Sequence, residues 1–469
     1  MYNRKEAAMM TIPRLIGMTL LSIFVVYGAL WFLPKKEITY MPDDQLRVYA
    51  LSHGLAPVPK HYHEMLKVTD NPENRLSPAK IALGKKLYFD TILSRDKTIS
   101  CQNCHLLEEG GDDNLPTAIG FHGRANPKHL NSPTVLNAAL AKRQFWDGRA
   151  KDVEEQAGGP MQAPFEMNIT PDLAVNRVAA VPEYQEAFRK VFGGEGNESV
   201  TFANIRKAIG AYERTLLTRS AYDQFLEGDN NAINAAAKRG VNLFIQKGCK
   251  GCHTGMSVGG QSLQQFPLRR ALEDIFKTEP FPFPNTGGFL GKEGRRVFRV
   301  PILRNITKTA PYFHNGAVKE LKEAIRIMSK YQIGEEFNEK QISDVEAFFK
   351  TLEGKIVPYD LNLTPGANLE KINLRGSDLS RRDLHEINLK NANLQNCDFF
   401  GTNLSGANLT GADVAGANFT SADLSFANLS FVDLSHTDLI ETKLEGVNLE
   451  HALWRGGRVC GQGSFGKCL

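Results

Sequence analysis

The longest run of hydrophobic positions lies near the N-terminus. Residues 15–33 carry no charged side chain and are mostly apolar, and a helix of this length can cross a bilayer. Basic residues flank both ends, so they give little information on orientation. The pattern predicts a transmembrane anchor after a short tail (residues 1–14), with a cleaved signal peptide as the alternative. Residues 34–76 contain several prolines and are predicted to form a linker.

Helical periodicity marks two similar stretches in the centre of the chain. Ser77 precedes a proline and resembles an N-cap. The segment Gly84–Tyr88 that follows it has a counterpart at Gly240–Phe244. Each segment is followed much later by an amphipathic helix, predicted at 203–216 and at 341–352. The two stretches are therefore predicted to share one helical plan.

From residue 367 the hydrophobic period becomes five. Every fifth residue from Leu369 to Leu449 is Leu, Phe or Val, and the residue two before it is usually small or β-branched. Neither a helix nor a strand has this period. The pattern resembles the pentapeptide-repeat family, whose members form a right-handed square β-helix with four pentads per coil. Arg382 breaks the small-residue rule and is predicted to mark a loose N-terminal coil.

The composition adds few constraints. A chain of 469 residues is long enough for three domains, and a net charge of +4 gives no reason to expect nucleic-acid binding. Three cysteines lie outside the two motifs described next: Cys397, Cys460 and Cys468. In an oxidising compartment Cys460 and Cys468 could form a disulfide, and two free thiols are the alternative.

Two Cys-x-x-Cys-His motifs carry the clearest chemical signal, at residues 101–105 and 249–253. The two thiols of such a motif can add to the vinyl groups of a haem, and the histidine then becomes the proximal iron ligand. A zinc or redox Cys-x-x-Cys motif is the alternative. Because haem c is attached outside the bacterial cytoplasm, we expect a periplasmic protein held at the inner membrane by residues 15–33.

These patterns together predict a mainly α fold of two tandem cytochrome c-like domains, followed by an all-β right-handed quadrilateral β-helix. In each helical domain one helix precedes the haem motif and another follows it. The predicted segments are, in order, 1–14 (tail), 15–33 (transmembrane), 34–76 (linker), 77–220 (first haem), 221–355 (second haem), 356–366 (linker), 367–456 (β-helix) and 457–469 (tail).

Several further motifs accompany the haem motifs. They are Gln144–Ala150, Glu155–Ala157, Pro164–Met167, Val300–Asn305 and Thr309–Gly316. In this order they resemble the bacterial dihaem cytochrome c peroxidase family, over roughly residues 77–355. The resemblance implies two covalent haem c groups, attached at Cys101, Cys104, Cys249 and Cys252. It also implies reduction of H₂O₂ by electrons from a small periplasmic donor, a cytochrome c or a cupredoxin.

The resemblance also implies roles for residues around the first haem. Glu166 would be the distal acid–base group. A Glu between Phe165 and Met167 could be desolvated, which would raise its pKa. Gln156 would assist it, and Trp146 would lie between the two haems. Further residues would bind the irons: His105 and His253 as proximal ligands, Met328 as axial ligand of the second haem, and His122 as removable ligand of the first, with His129 as the alternative.

A calcium ion is implied as well, held by the side chain of Asn131 and the carbonyl oxygens of Thr309 and Pro311. Two other functions compete with the peroxidase. One is a dihaem oxidase acting on a protein or a small organic molecule, and the other is a plain dihaem electron carrier. The repeat domain is net acidic and could dock a basic partner or serve as a spacer. Its partner is unknown, and a homodimer is possible.

Overall fold

The computed structural model describes residues 40–270, 274, 280–358, 361 and 363–469. Residues 42–469 belong to one compact unit, which carries all of the elements named here. The helices are α1 Asp43–Ser52, α2 Tyr62–Val68, α3 Pro78–Phe89, α4 Val153–Gln162, α5 Pro171–Ala179, α6 Pro182–Phe192, α7 Phe202–Glu213, α8 Ala221–Leu226, α9 Ala235–Gln246, α10 Leu321–Met328 and α11 Glu339–Lys350. The strands are β1 Thr218–Ser220, β2 Leu263–Gln265, β3 Val297–Arg299 and β4 Gly354–Ile356.

Each half of the helical region is built on two helices that cross at a glycine. Helix α3 packs against α7, and α9 packs against α11. A Cβ atom on Gly84 would lie 1.9 Å from the carbonyl oxygen of Ala208, and one on Gly240 would lie 2.0 Å from that of Asp344. The mainly α prediction, with a helix before and after each haem motif, is confirmed. The glycine repeated in the sequence is explained by the close approach of the helices.

Two short sheets connect distant parts of the helical region. Strand β1 pairs with β4 in antiparallel register, with Thr218 opposite Ile356. Strand β2 pairs with β3, with Leu263 opposite Arg299. Since β1 closes the first helical half and β4 closes the second, their pairing joins the ends of both halves. The boundary predicted at residue 220 therefore lies inside a contact between the halves.

The prediction that residues 34–76 form a linker is wrong for the part that the structure describes. Helix α1 packs on α8 and α9, and Leu46 and Leu55 are buried. The N–H of Gly255, just after the second haem motif, donates to the oxygen of Gly54 at 2.8 Å. Two of the prolines that suggested a linker stand at the starts of short elements, Pro42 at the N-cap of α1 and Pro72 at the first position of a 3-10 turn.

The predicted membrane segment at residues 15–33 lies outside the described residues, and so does the tail at residues 1–14. Within the described ranges no helix is long and apolar enough to cross a bilayer. The anchor and the cleaved signal peptide both remain predictions.

From residue 366 onward the backbone winds into a β-helix. Parallel bridges join Asn368 to Asn388 and Asn388 to Asn408, and a side-chain bond between the first pair spans 20 residues. The central residues of the pentads point inward, and Leu374 and Leu404 have no exposed surface. One coil therefore contains four pentads, as the pentapeptide-repeat resemblance predicted.

The residue before each pentad centre shapes the corner of the coil. It is usually Asn or Asp, and its side-chain oxygen accepts the N–H two residues further on. Asn388 accepts from Lys390 at 3.2 Å, and Asp398 accepts from Phe400 at 3.0 Å. These bonds are Asx turns, which satisfy the backbone locally. The corner residue that follows has a positive φ, as at Asn391 (56°), and Asn tolerates this conformation better than most residues.

Arg382 does not loosen the first coil, contrary to the prediction. Its side chain is exposed, while Leu384 beside it is fully buried. The carbonyl oxygen of Arg382 accepts the N–H of Asn403 at 2.9 Å. The coil stays closed because the long side chain points away from the interior.

The predicted tail at residues 457–469 is instead a cap on the last coil. Cys460 and Cys468 form a disulfide, which confirms the pairing considered from the sequence. The N–H of Leu449 donates to the oxygen of Ser464 at 2.8 Å, and the N–H of Cys460 donates to the oxygen of Ala452 at 2.9 Å. Backbone groups that would otherwise end the β-helix unpaired are thus bonded.

The β-helix packs against the first haem region, and the described residues of the predicted linker 356–366 take part in the packing. Leu361 is buried, and Ile356 belongs to β4. One continuous hydrophobic cluster contains Leu76, Tyr88, Leu361, Leu369 and the inner residues of the coils. Burial of this apolar surface opposes free motion of the β-helix relative to the helical region.

The crossing of α3 and α7 gives a direct test of the fold. Replacing Gly84 with Ala places a methyl group against the backbone of Ala208, so the helices must separate. We expect the free energy of unfolding to fall by about 1–3 kcal/mol, as in other overpacked cores. Thermal unfolding followed by circular dichroism measures the change. Gly461→Ala is the matched control, because its Cβ would be 3.6 Å from its neighbour, and equal stability of both variants would contradict this packing.

Candidate functional site

Two internal cavities each contain one Cys-x-x-Cys-His motif in the wall. The motif residues of the first cavity are Cys101, Cys104 and His105, and those of the second are Cys249, Cys252 and His253. Each motif begins with a single 3-10 turn, at Cys101–Asn103 and at Cys249–Gly251. The turn brings both thiols and the histidine of a motif to the same cavity, as thioether attachment of a haem requires.

His253 is buried and His105 is half-buried, and a backbone carbonyl group holds each of them. Nδ1 of His105 lies 3.2 Å from the oxygen of Gly111, and Nδ1 of His253 lies 3.4 Å from the oxygen of Val258. Burial lowers the pKa of His105 and brings that of His253 to about 4. Because a carbonyl oxygen can only accept, Nδ1 carries the hydrogen in the neutral ring. The lone pair is then on Nε2, where an iron ligand needs it.

Helix α3 also supports the first motif from behind. The hydroxyl group of Tyr88, a fully buried residue, donates to the carbonyl oxygen of His105 at 2.9 Å. Tyr88 also packs edge-on against Tyr212 of α7. The crossing helices and the first motif are therefore connected through one side chain.

Glu166 lies in the wall of the first cavity, as the sequence predicted. Burial raises the pKa of its carboxyl group, and the charge of Arg149 opposes this rise. The backbone of Glu166 is fixed on both sides, since its N–H donates to the oxygen of Ala163 at 3.0 Å and its oxygen accepts the N–H of Phe121 at 2.7 Å. The site thus places a carboxyl group with a raised pKa on a rigid turn.

Gln156 and Arg149 face the same cavity as Glu166. Gln156 is on α4, whose N-cap Asp152 accepts the N–H of Glu155 at 2.8 Å. The guanidinium group of Arg149 lies 3.5 Å from the centre of the Phe145 ring and pairs with Asp147 at 2.9 Å. The cavity therefore combines an acid, an amide and a cation next to the first haem motif.

Trp146 contributes to the walls of both cavities. Its indole N–H donates to the carbonyl oxygen of Asn131 at 2.9 Å, and its own carbonyl oxygen accepts the N–H of Arg299 at 2.7 Å. The ring thus lines both cavities that contain a Cys-x-x-Cys-His motif. Its position between two haems stays a prediction.

Met328 is the last residue of α10 and faces the second cavity, which His253 also lines. The next turn, at residues 329–333, is a π-helix, a form that often occurs at functional sites. The arrangement is compatible with a thioether ligand across the cavity from the histidine. Its role as an iron ligand stays a prediction.

His122 is not brought into the first cavity. Its side chain is 63% exposed, and its Nε2 atom lies 3.6 Å from a carboxylate oxygen of Asp96. The ring stacks on Phe121 at 3.9 Å. His129, the other candidate, is half-buried and also absent from the wall of this cavity. Ligation of the first haem by either residue remains a prediction, which this conformation does not support.

The residues predicted to bind calcium do lie together. Asn131, Thr309 and Pro311 all line the second cavity, and Nδ2 of Asn131 donates to the oxygen of Pro311 at 2.8 Å. These are oxygen donors of the type that Ca²⁺ takes, provided that the amide of Asn131 turns to present Oδ1. Among the described residues no group of three or more His, Cys, Asp or Glu side chains could hold a metal. The calcium prediction relies on amide and carbonyl oxygens, which that finding does not cover.

Sequence reasoning missed several buried polar residues in the cavity walls. Glu213 lines the first cavity, and burial together with the nearby Glu154 raises its pKa to about 8. Arg299 and His314 line the second cavity, and burial lowers the pKa of His314 to about 4. The sequence offered a signal for two of these residues, since Arg299 directly precedes the Val300–Asn305 motif and His314 lies inside the Thr309–Gly316 motif.

Comparison with known proteins agrees with this geometry. The family model for di-haem cytochrome c peroxidase matches residues 78–231, and the model for pentapeptide repeats (8 copies) matches residues 366–396, 383–420 and 415–453. The cytochrome c551 peroxidase of Nitrosomonas europaea is 44% identical over 290 residues, which cover 61% of this chain and 83% of that protein. The chain belongs to the di-haem cytochrome c peroxidase family. Membership implies an oxidoreductase with two covalently attached haem c groups.

Other relatives show the breadth of this family. The cytochrome c551 peroxidase of Pseudomonas aeruginosa is 41% identical, over 64% of this chain and 86% of that protein. The methylamine utilization protein MauG of Methylorubrum extorquens is 34% identical, over 65% of this chain and 87% of that protein. A crystal structure of a MauG-like protein associated with microbial copper homeostasis has a TM-score of 0.53 and 26% identity, and covers 69% of this chain and 95% of that chain.

Met328 offers a test of the second haem site. Histidine ligation generally gives a lower reduction potential than thioether ligation, so Met328→His should lower the potential of one haem by on the order of 100 mV. A redox titration followed by visible absorption measures this shift. Met161 of α4 is the control, since it is buried in the hydrophobic core of the first haem region. Equal titration curves for Met328→His and the wild type would show that Met328 only packs.

Proposed function

We propose that this protein reduces hydrogen peroxide to water with electrons from a small periplasmic donor, a cytochrome c or a cupredoxin. The observation that carries the proposal is the position of Glu166. Glu166 lines the cavity of the first haem motif, and burial raises the pKa of its carboxyl group. A carboxyl group with a raised pKa is a better match for a step that needs both an acid and a base than an ordinary exposed one.

The two haems would supply the binding of peroxide and the transfer of electrons. In the first cavity Glu166 would take the proton from one peroxide oxygen and deliver it to the other, so that the second oxygen leaves as water. Gln156 is a neutral hydrogen-bonding partner in the same wall and would orient the peroxide. Arg149 adds a positive charge, which favours the developing negative charge on the leaving oxygen.

The second cavity would serve electron entry. Trp146, an aromatic side chain in the walls of both cavities, supports transfer from the second site to the first. Met328 and His253, which line this cavity, would both hold the second haem, and a haem held by a thioether and an imidazole would supply electron transfer and not peroxide binding. Peroxide would then react only in the first cavity, where Glu166 lies.

Two alternatives remain distinct from this proposal. A dihaem oxidase has some support, because MauG proteins are among the relatives. A plain electron carrier has less support, because it would need neither Glu166 nor Gln156. Steady-state consumption of H₂O₂ with reduced cytochrome c, compared with oxidation of organic substrates, separates the three functions.

The β-helix would act mainly as a rigid support for the first haem region. Besides the shared hydrophobic cluster, Gly376 approaches α6 so closely that a Cβ atom would lie 3.0 Å from the oxygen of Lys190. Burial of Leu361 and Leu369 connects this domain to Tyr88, which bonds to His105. The β-helix would therefore help to hold the first haem motif in place through Tyr88.

This role predicts the effect of removing the β-helix. A chain ending at residue 358 exposes Leu76 and Tyr88, so its melting temperature should fall by several degrees, and by about 2–4 °C for each kcal/mol lost. Differential scanning calorimetry of the haem-loaded protein measures the change. A control is Phe426→Ala, which removes a side chain that is already 67% exposed. An unchanged melting temperature after truncation would mean that the repeat domain is independent.

Glu166 gives the decisive test of peroxide reduction. Glu166→Gln keeps the shape of the side chain and loses the transferable proton. We expect at least a roughly 100-fold loss in peroxide turnover, within the range for a positioned acid–base group. Both haems and their reduction by the donor should be preserved, and stopped-flow spectra show whether they are. Near wild-type turnover in this variant would reject the proposal and favour the carrier or the oxidase.

The pH dependence of the reaction provides a further check on Glu166. Only the ionised carboxylate can take the first proton, so kcat/KM should fall as the pH drops through the raised pKa of Glu166. This acidic limb should disappear in Glu166→Gln. Glu166→Asp should keep the limb and part of the rate, because the carboxylate survives at a less favourable distance.

A further inference from the structure

Arg299 is a buried cation for which the described residues provide no anion. It ends β3, and only 3% of its surface is exposed. The Nε and Nη1 atoms of its guanidinium group are buried without a hydrogen-bond partner in the part of the chain that the structure describes. Its backbone, by contrast, is well held, because its N–H donates to the oxygen of Trp146 at 2.7 Å.

Such a group is costly unless it is neutralised. A guanidinium group remains protonated in proteins, and a buried charge without a counter-ion lowers stability. Burial alone lowers the pKa of Arg299 to about 10, so the group still carries its charge at neutral pH. The strand therefore holds in place a positive charge that an anion should complete.

The surroundings of Arg299 indicate where that anion is found. Arg299 lines the second cavity together with His253 and Met328. Asp112 is the single carboxylate among the described residues of this wall. Burial and the charge of Asp113 raise the pKa of Asp112 to about 7, and Arg299 has no part in that shift. The described residues thus offer no hydrogen-bond partner to Nε and Nη1 of this guanidinium group, which lies at the cavity where the second haem would be held.

We propose that Arg299 binds a propionate group of the second haem. Haem attached at Cys249 and Cys252 brings two carboxylates into this cavity, and the planar fork of a guanidinium suits a carboxylate better than any other cation does. The inference depends on haem attachment at the second motif, which family membership implies. It does not depend on peroxide reduction.

The bond should affect the reduction potential of the second haem. A positive charge at the propionate offsets its negative charge, so it stabilises the iron after an electron has been added. Without Arg299 the uncompensated propionate favours the oxidised state. The effect should be strong, because the cavity is apolar around the ion pair and screens charge poorly.

The test compares Arg299→Gln with Arg295→Gln in the full-length, haem-loaded protein. Arg295 is four residues away but 67% exposed and paired with Glu293, so its variant makes the same charge change in solvent. For Arg299→Gln we expect at least a tenfold fall in the one-electron reduction equilibrium of the second haem, or about 59 mV. The reduction equilibrium of the first haem in Arg299→Gln should change less than threefold. The reduction equilibrium of the second haem in Arg295→Gln should also change less than threefold. A shift below threefold in Arg299→Gln, or an equal shift in the control, would overturn the proposal.

A second measurement decides the matter if Arg299→Gln does not fold. Arg299→Lys keeps the positive charge and loses the planar guanidinium group. The reduction potential of its second haem should therefore shift by less than that of Arg299→Gln. Redox-induced infrared difference spectra of protein carrying haem with ¹³C-labelled propionates report the carboxylate directly. We expect the labelled band to move between the wild type and Arg299→Lys. Identical labelled bands in both proteins would show that Arg299 does not contact the propionate, whatever the peroxidase activity.

Discussion

The close crossing of two helix pairs is the constraint on which the rest of this structure depends. At Gly84 and Gly240 the partner backbone lies so near that no Cβ atom fits. Each crossing fixes the helices that lie next to one haem motif. At the first crossing Tyr88 connects α3 to the motif, because its hydroxyl group donates to the carbonyl oxygen of His105 at 2.9 Å. The interior is close-packed, so a change in one crossing must move the motif beside it.

Buried polar groups give the two cavities different chemistry on the same helical plan. The first cavity contains the carboxyl group of Glu166, with a pKa raised by burial, beside a neutral amide and a cation. The second contains Met328 and the guanidinium of Arg299, whose Nε and Nη1 have no hydrogen-bond partner in the part of the chain that the structure describes. An acid suits proton transfer, whereas a thioether and a fixed positive charge both favour reduced iron. These side chains support the proposed division of work between a peroxide site and an electron-entry site.

The ends of the chain contribute more than their composition suggests. The N-terminal helices pack on the second haem region, where Gly54 accepts a hydrogen bond from Gly255. The β-helix packs on the first haem region through one hydrophobic cluster with Leu361 and Leu369. Each haem region therefore packs against a segment that lies outside the two helix pairs.

The sequence by itself determined the haem motifs, the helices around them, the β-helix and the positions of Glu166, Gln156 and Trp146 in or between the cavities. These depend on local patterns: the spacing of ligands, the helical period and the pentad. Only the tertiary structure decided that residues 42–76 pack, that residues 457–469 cap the last coil, and that Arg299 is buried with no anionic partner among the described residues. Burial and pairing depend on which distant segments meet, and no local pattern records such contacts.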